Sequence, residues 1–257
     1  MFSPDLFKGK NVLVTGGGSG IGMAIARQFL QYGATVCIAS RKEARVVEAQ
    51  LELSQYGTCH AIVLDIRQPD SIAAAAHLIQ QLCGGLDILV NNAGGQFPSA
   101  AESISVNGWN AVINTNLNGT FYVTRQMANS FFIPQKNGVI VNIIANIYRG
   151  FPGMAHTGAA RAGVDNLTKT LAVEWATHQI RTNAIAPGII LSSGLDQYPP
   201  ELLKDITNKI PLKRLGTTDE VANLALFLAS DMAAFITGET VYIDGGQRLW
   251  GDMWEIG

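Results

Sequence analysis

A glycine-rich segment directly after a short apolar run constrains the fold of this chain more than any other feature. The run Val12–Val14 leads into TGGGSGIG at residues 15–22, and apolar residues then recur with helical spacing at Ile21, Ile25 and Phe29. Glycines permit a tight turn and a close approach to a pyrophosphate, while the following helix supplies N–H groups and a favourable dipole. A strand, a glycine loop and a helix in this order predict a dinucleotide-binding βαβ unit rather than a flexible turn. The candidate contacts are Gly16, Gly18, Ser19, Gly20 and Ile21.

Short apolar segments alternate with longer stretches of helical spacing along the whole chain. The segments are Asn11–Thr15, Thr35–Ser40, Cys59–Asp65, Leu86–Asn91, Gly138–Ile144, Arg181–Ala186 and Thr240–Ile243. Their high content of Val, Ile and Leu is typical of parallel strands that helices bury on both faces. No linker, repeat or low-complexity stretch interrupts the pattern. The sequence therefore predicts one α/β domain over residues 1–257, built on a doubly wound parallel sheet.

The least regular stretch is 190–215, which contains Pro199, Pro200 and Pro211. In a doubly wound sheet this stretch follows the sixth strand and lies over the carboxyl ends of the strands, where ligands bind. We therefore expect residues 190–215 to form a lid over the substrate.

Composition argues against several functional classes. The 257 residues are 47% hydrophobic and 15% charged, and the formal net charge of −2 is spread along the chain without a basic patch, which argues against nucleic-acid partners. No apolar run is long enough to span a membrane, and MFSPDLFKGK at the start lacks the apolar core of a signal peptide. The last three residues are not a peroxisomal address. We expect a cytoplasmic protein without a membrane partner.

Cysteine and histidine are few and widely spaced. The odd number of cysteines, Cys37, Cys59 and Cys83, is best explained by buried, reduced thiols. The four histidines show no paired spacing, so we expect no metal site.

The end of the second predicted strand indicates which dinucleotide binds. An NAD site places an acidic residue there to hold the ribose 2′-hydroxyl, but this chain reads Ala39-Ser40-Arg41-Lys42, with no acid before Glu43. The planar guanidinium of Arg41 can clasp a 2′-phosphate, and Ser40 can add a hydroxyl. The alternative is a solvated arginine at the start of a helix. We favour NADP(H).

Further candidate contacts to the cofactor follow other strands. Asp65, at the end of the third strand, either meets the adenine amino group or caps the next helix. The remaining candidates are Ile66, Asn92, Ala93, Gly94, Pro187, Gly188 and Ile190.

Several of these segments together resemble the short-chain dehydrogenase/reductase family. The resemblance rests on the Gly-x-x-x-Gly-x-Gly spacing at 16–22, the run Asn91–Gly94, Asn116, Pro187-Gly188 and the late Asp244–Gly246. It covers nearly the whole chain and implies a Rossmann-type sheet of seven strands. It also implies a homotetramer, in keeping with the long apolar helix patterns at Val106–Phe132 and Thr157–Thr177.

The chain departs from the catalytic group that the resemblance implies, which is Asn, Ser and a Tyr-x-x-x-Lys pair. Asn116 is retained, but Ala145 stands at the serine position, and Thr157 and Arg161 stand at the tyrosine and lysine positions. A threonine hydroxyl is far too weak an acid to replace tyrosine. Arg161 stays protonated and can hold the ribose of the cofactor, but it cannot exchange protons. Ordinary ketone–alcohol chemistry is therefore expected to be disabled.

One branch of the family lacks the same tyrosine, namely the reductases of enoyl-CoA and 2,4-dienoyl-CoA. The segments 91–97, 150–152 and 158–164 resemble this branch. The resemblance implies that Gln96 and Tyr148 hold the substrate carbonyl, although Tyr148 aligns only across a two-residue gap. The alternatives are that Gln96 caps a loop and that Tyr148 packs under the lid.

The chemistry of a conjugated thioester explains why the tyrosine is dispensable. Hydride addition places negative charge on the thioester oxygen as an enolate, and donors aimed at that oxygen stabilise it. The proton then goes to carbon and can come from water. The sequence thus favours an NADPH-dependent reductase of an acyl thioester in fatty acid metabolism. A ketone reductase with a displaced tyrosine and an NADP-binding protein without turnover remain alternatives.

Overall fold

The centre of the protein is a parallel sheet of seven strands. The computed structural model describes residues 3–192, 194–195 and 206–249. The strands are β1 (Asn11–Thr15), β2 (Thr35–Ser40), β3 (Cys59–Val63), β4 (Ile88–Asn91), β5 (Gly138–Ile143), β6 (Ile180–Pro187), β7 (Ile190–Leu191), β8 (Gly216–Thr217) and β9 (Thr240–Ile243). The large sheet has the order β3-β2-β1-β4-β5-β6-β9, and β7 pairs with β8 separately. Every pair in the large sheet is parallel, which confirms the predicted seven-stranded, doubly wound α/β fold.

Three predicted strands are longer in the sequence pattern than in the structure. The third strand ends at Val63 rather than Asp65, the fourth begins at Ile88 rather than Leu86, and the fifth ends at Ile143 rather than Ile144. Backbone hydrogen bonds still hold the flanks, from Leu64 N–H to Ser40, from Asp87 N–H to Asn11 and from Ile144 N–H to Ile185. The apolar pattern therefore extends beyond the regular ladder.

Helices cover both faces of the sheet. They are α1 (Gly20–Gln31), α2 (Glu43–Leu53), α3 (Pro69–Cys83), α4 (Val106–Ile113), α5 (Gly119–Met127), α6 (Ile133–Gln135), α7 (Ala155–Glu174) and α8 (Thr218–Ala229). The turns Asn114–Asn118 and Ala128–Phe132 are π-helical and join α4, α5 and α6. Within the described ranges, no helix is both long and apolar enough to cross a membrane.

The core lies in separate layers because alternate side chains of each strand face opposite ways. Val12 and Val14 of β1 pack with residues of α1, α2 and α8, whereas Leu13 packs with residues of α3 and α5. Such two-sided burial explains the near-continuous apolar strands that the sequence displays.

A buried chain of amides ties the centre of the sheet to two helices. Asn91 of β4 donates to Thr124 of α5 at 2.8 Å and to Asn142 of β5 at 2.8 Å, and Asn142 donates to Thr168 of α7 at 2.9 Å. Because buried polar groups are costly unless paired, these bonds fix α5 and α7 relative to the strand ends that carry the site.

Candidate active site

The carboxyl ends of β1, β4, β5 and β6 open into a cavity of about 870 Å³. Segments after β4, at the end of β5 and after β6 line it, together with Gln247 and Arg248 after β9. The positively charged lining residues are Arg149, Arg161, Lys209 and Arg248. No Asp or Glu occurs among its described lining residues. The cavity therefore suits a ligand with several negative charges.

The predicted lid 190–215 is described only in part. Residues 193 and 196–205 lie outside the described residues. From the described part, Ile190, Ser192, Leu195, Ile206 and Lys209 line the cavity. The lid itself stays a prediction.

The glycine loop forms a cradle that side chains would fill. Gly16 and Gly20 have φ angles of +67° and +53°, which favour glycine. A Cβ on Gly22 would overlap the carbonyl of Gly16 and the amide of Asn92, and one on Gly17 would lie 2.7 Å from Ile38. The backbone is thus packed as closely as a pyrophosphate site at a helix N-terminus requires, so a dinucleotide fits here.

Thr15 joins this loop to the segment after β4. Its hydroxyl accepts hydrogen bonds from the N–H groups of Asn92 and Ala93, each at 3.0 Å. The amide of Asn92 in turn donates to the carbonyls of Thr15 at 3.0 Å and Gly16 at 3.2 Å. The predicted contacts Asn92, Ala93 and Gly94 are therefore held directly beside the glycine loop.

Two arginines, Arg41 and Arg45, follow β2, whereas the sequence predicted a cofactor contact only for Arg41. Arg41 is exposed, as a residue that receives a phosphate must be, and α2 begins after it at Glu43. A Cβ on Gly18 would lie 3.2 Å from Cγ and 3.6 Å from Cδ of Arg45, so the stem of Arg45 packs on the glycine loop. Arg45 was not predicted from the sequence, although it lies only four residues beyond Arg41.

Asp65 does not cap the helix that follows. The N-cap of α3 is Gln68, and the Asp65 carboxylate accepts from the backbone N–H of Arg67 at 3.0 Å and from its guanidinium at 2.6 Å. This hydrogen bonding with Arg67 holds the pKa of Asp65 below its usual value. Ile66 is buried, and a Cβ on Gly119 of α5 would lie 2.8 Å from it.

Thr157, which stands at the family's tyrosine position, is turned away from the cavity. It is fully buried, its hydroxyl lies 3.2 Å from Nδ1 of His156, and its N–H donates to the same nitrogen at 2.8 Å. The His156 ring meets Phe97 edge-on at 4.5 Å between centroids. Burial lowers the pKa of His156, which favours the neutral imidazole. Neither residue is among the described lining of the cavity.

Arg161 lines the cavity from α7, four residues beyond Thr157. Its guanidinium donates to the carbonyl of Ile143 at 3.1 Å. Burial lowers the pKa of Arg161 to about 10, so the side chain remains positive at neutral pH. It can hold hydroxyl groups of a ligand but cannot serve as a proton donor there.

Asn116 clamps the segment that carries Gln96. Asn116 lies in the π-helical turn after α4, its amide donates to the carbonyl of Gly95 at 2.6 Å, and its carbonyl accepts from Gly95 N–H at 3.2 Å. Gln96, which follows Gly95 in the chain, lines the cavity. Asn116 thus fixes the backbone from which Gln96 reaches a ligand.

Tyr148 is not brought together with Gln96. Its side chain is 62% exposed, lies outside the described lining of the cavity, and meets the Tyr242 ring edge-on at 6.1 Å. Its neighbours Asn146 and Arg149 line the cavity instead. The spacing in the sequence placed Tyr148 on the correct loop but carried no information about the direction of its side chain.

A hydrogen-bonded junction around Asp244 was not predicted from the sequence. The Asp244 carboxylate accepts from the Asn146 amide at 3.0 Å and from the backbone N–H groups of Gly246 at 3.0 Å and Arg248 at 2.8 Å. The Arg248 guanidinium lies over the Tyr242 ring at 4.5 Å. Asp244 therefore positions both the loop after β5 and a cation of the cavity. Its place in the Asp244–Gly246 run was the available signal.

Comparison with known proteins decides the family. A family model described as enoyl-(acyl carrier protein) reductase matches residues 16–248. The chain is 41% identical to a probable 2,4-dienoyl-CoA reductase of Bacillus subtilis, covering 93% of this chain and 97% of the relative. The chain belongs to the short-chain dehydrogenase/reductase family. As a member of this family it is an oxidoreductase that uses a nicotinamide cofactor.

Other relatives mark the breadth of the family. A peroxisomal 2,4-dienoyl-CoA reductase of Pongo abelii is 40% identical, covering 97% of this chain and 87% of the relative. A 3-oxoacyl-acyl-carrier-protein reductase of Thermotoga maritima is 39% identical, covering 93% of this chain and 98% of the relative. A solved short-chain dehydrogenase from Bacillus anthracis superimposes with a TM-score of 0.87 at 43% identity, covering 95% of this chain and 98% of that one.

Gly94 gives a direct test of the geometry of the site. A Cβ there would overlap the guanidinium of Arg161 and lie 2.6 Å from Oδ1 of Asn116, whereas nothing lies within 4 Å of a Cβ on Gly95. We expect Gly94→Ala to displace Arg161 and to weaken binding of the nicotinamide dinucleotide by roughly tenfold. Gly95→Ala is the matched control and should bind like the wild type. Fluorescence titration measures both, with thermal melting to verify folding; equal affinities would contradict this arrangement.

Proposed function

We propose that this protein reduces a conjugated carbon–carbon double bond in an enoyl- or 2,4-dienoyl-CoA thioester, with NADPH as the reductant. One observation carries the proposal. Where a ketone reductase of the family needs an acidic tyrosine in the cavity, this chain has the buried Thr157, whose hydroxyl faces His156. A carbonyl oxygen in the cavity would lack the usual proton donor. The 2,4-dienoyl-CoA reductases of Bacillus subtilis and Pongo abelii, each about 40% identical to this chain, support the same reaction class.

Charge stabilisation is the main task left to the protein. When bound, the reduced nicotinamide supplies the hydride that adds to the conjugated chain. Negative charge then develops on the thioester oxygen, and the Gln96 amide, held by the Asn116–Gly95 clamp, can donate to it. Loss of a comparable donor costs about 3 kcal/mol in other enzymes. The proton is delivered to carbon, so water can supply it.

The lining of the cavity also supports a phosphorylated carrier. A nicotinamide dinucleotide and CoA both bring phosphate groups, and Arg149, Lys209 and Arg248 line the cavity without a described carboxylate among the lining residues. Arg161, positive and buried, is suited to orient the nicotinamide ribose. We assign the substrate to unsaturated fatty acyl thioester metabolism, and we favour a cytoplasmic location, since reduced thiols persist in a reducing compartment.

NADPH specificity is assigned to Arg41 and Arg45, with Ser40 as a hydroxyl donor. We expect Arg41→Ala to weaken NADPH binding by about tenfold or more, since a charge-assisted bidentate contact is lost, and to change NADH binding little. Arg45→Ala should produce a smaller loss of the same kind. Lys8→Ala, an exposed lysine at the other end of the sheet, is the control. The measurement is the ratio of NADPH to NADH dissociation constants, and equal losses for both cofactors would refute the assignment.

The reaction itself is tested by NADPH oxidation with 2-enoyl-CoA, 2,4-dienoyl-CoA and simple ketones. We expect Gln96→Ala to lower kcat on the active thioester by roughly 100-fold and to leave NADPH affinity unchanged, because the charge develops only in the transition state. Tyr148→Phe decides whether Tyr148 joins Gln96 when substrate binds. A loss of kcat in both variants assigns charge stabilisation to Gln96 and Tyr148 together, and a loss in Gln96→Ala alone assigns it to Gln96.

The substrate panel also separates the alternative functions. Turnover of ketones only would overturn the proposed reaction in favour of a ketone reductase with a displaced tyrosine. No turnover on any substrate would favour a non-catalytic NADP-binding protein.

We also propose that the protein assembles as a homotetramer. Large apolar side chains are exposed on α4 and α7, where Val106 is 75% and Val173 78% exposed, and after α8, where Phe235 is fully exposed. Exposed apolar side chains on the two long helix patterns support contacts between copies. Multi-angle light scattering should give four times the mass of one chain at micromolar concentration. A monomer mass under these conditions would reject the assembly, and Phe235→Ser should reduce the tetramer fraction.

A further inference from the structure

Two cysteines that are distant in the sequence meet where the end of α3 packs on β2. Cys37 lies in β2, on the face that packs with α3, and Cys83 is the last residue of α3. Their sulfur atoms are 3.5 Å apart, in a hydrogen-bonding contact. Cys37 is 2% exposed and Cys83 is partly exposed, so Cys83 departs from the expectation that all three thiols are buried.

The surroundings allow the two sulfur atoms to come closer. A disulfide needs a sulfur–sulfur separation of about 2.05 Å, so the two sulfur atoms must approach each other by about 1.5 Å. Gly84 follows Cys83 with a φ of +74°, and nothing lies within 4 Å of a Cβ on Gly84 or Gly85. The backbone carbonyl of Cys83 accepts from the Asn11 amide at 3.1 Å, which keeps the end of α3 beside β1. The two cysteine side chains and the turn at Gly84 and Gly85 can therefore take up the required movement.

The two thiols differ in their readiness to react. Hydrogen bonding from Cys37 lowers the pKa of Cys83, whereas the same contact and burial raise the pKa of Cys37. Burial also raises the pKa of Cys59 to about 12. The thiolate is the nucleophile in thiol oxidation, so the partly exposed Cys83 is the group that an oxidant reaches first.

We propose that Cys37 and Cys83 form an oxidation-sensitive dithiol that a peroxide converts to a disulfide. In the first step the Cys83 thiolate attacks the peroxide oxygen, which leaves a sulfenic acid on Cys83 and releases hydroxide or alkoxide. In the second step the Cys37 sulfur attacks the Cys83 sulfur, the S–O bond breaks, and water leaves with the thiol proton. Two electrons pass from the pair of thiols to the peroxide.

The bond would link α3 to β2 without touching the cavity. Cys37 pairs with Leu13 and His60 in the middle of the ladder, and Cys83 contacts the first residue of β1, so both lie away from the carboxyl ends of the strands. The cross-link closes a loop of about 46 residues, and such closure restricts the unfolded chain. Oxidation should therefore raise the melting temperature and spare the cofactor site. This inference is independent of the proposed function.

Peptide mapping after treatment with hydrogen peroxide tests the pair. We expect the wild type and the control Cys59→Ala to lose two hydrogens in intact mass, to yield a linked Cys37–Cys83 peptide, and to gain about 5 °C in Tm that dithiothreitol reverses. Cys83→Ser should show none of these changes. In Cys37→Ala, which removes the second thiol, Cys83 should stop at a sulfenic acid that dimedone traps.

Intact mass, linked peptides and Tm decide whether the two thiols form a disulfide, and none of these measurements requires a substrate. Oxidation of Cys83 in the wild type to sulfinic or sulfonic acid without a linked peptide would overturn it, as would a linked peptide that contains Cys59. If Cys37→Ala fails to fold, the wild type, Cys83→Ser and Cys59→Ala still decide between a linked pair and independent thiols.

Discussion

The hydrogen bonds between the Asn116 side chain and the backbone of Gly95 connect every part of the candidate site. They join the π-helical turn after α4 to the segment after β4, and Gly94 in that segment leaves room for the guanidinium of Arg161 from α7. Thr15 continues the same segment to the glycine loop. The glycine loop, the buried Arg161 and the Gln96 amide are thus held together by contacts through one segment. A methyl group at position 94 would overlap the Arg161 guanidinium and the Asn116 side chain.

The fold could be predicted because its signals are local and repeated. Seven apolar runs predicted the seven strands of the large sheet. The glycine spacing at 16–22 predicted the closely packed loop, since the close approach of backbone segments there leaves no room for larger side chains. The candidate site was predictable where a contact follows from the backbone, as for Asn92 and Gly94. It was not predictable where a contact depends on side-chain direction, as for Tyr148, which points to Tyr242. Nor does spacing reveal contacts between distant elements, as in the pair Cys37 and Cys83.

Under the proposed function, the departure at Thr157 would separate two kinds of reduction within one fold. Carbonyl reduction delivers a proton to oxygen and therefore needs an acid at a fixed place beside the substrate. Reduction of a conjugated thioester delivers the proton to carbon after the charge has formed, so the protein must hold the charge rather than donate the proton. The helix α7 buries Thr157 against His156 and keeps Arg161 at the cavity. Under the proposed function, this arrangement would preserve the orientation of the cofactor and dispense with acid catalysis.

Four cations line the cavity, and within the described residues the only one of them that pairs with a carboxylate is Arg248, with Asp244 at 3.7 Å. The lining therefore attracts anions of suitable size without distinguishing them by charge. Charge alone does not distinguish a substrate from its product, or either from unrelated nucleotides, when all carry the same phosphate groups. Discrimination must come from uncharged surfaces of the cavity, to which Phe151, Met154 and Ile189 contribute. In a cell rich in phosphorylated metabolites, occupancy of this cavity is a competition that their concentrations govern as strongly as their affinities.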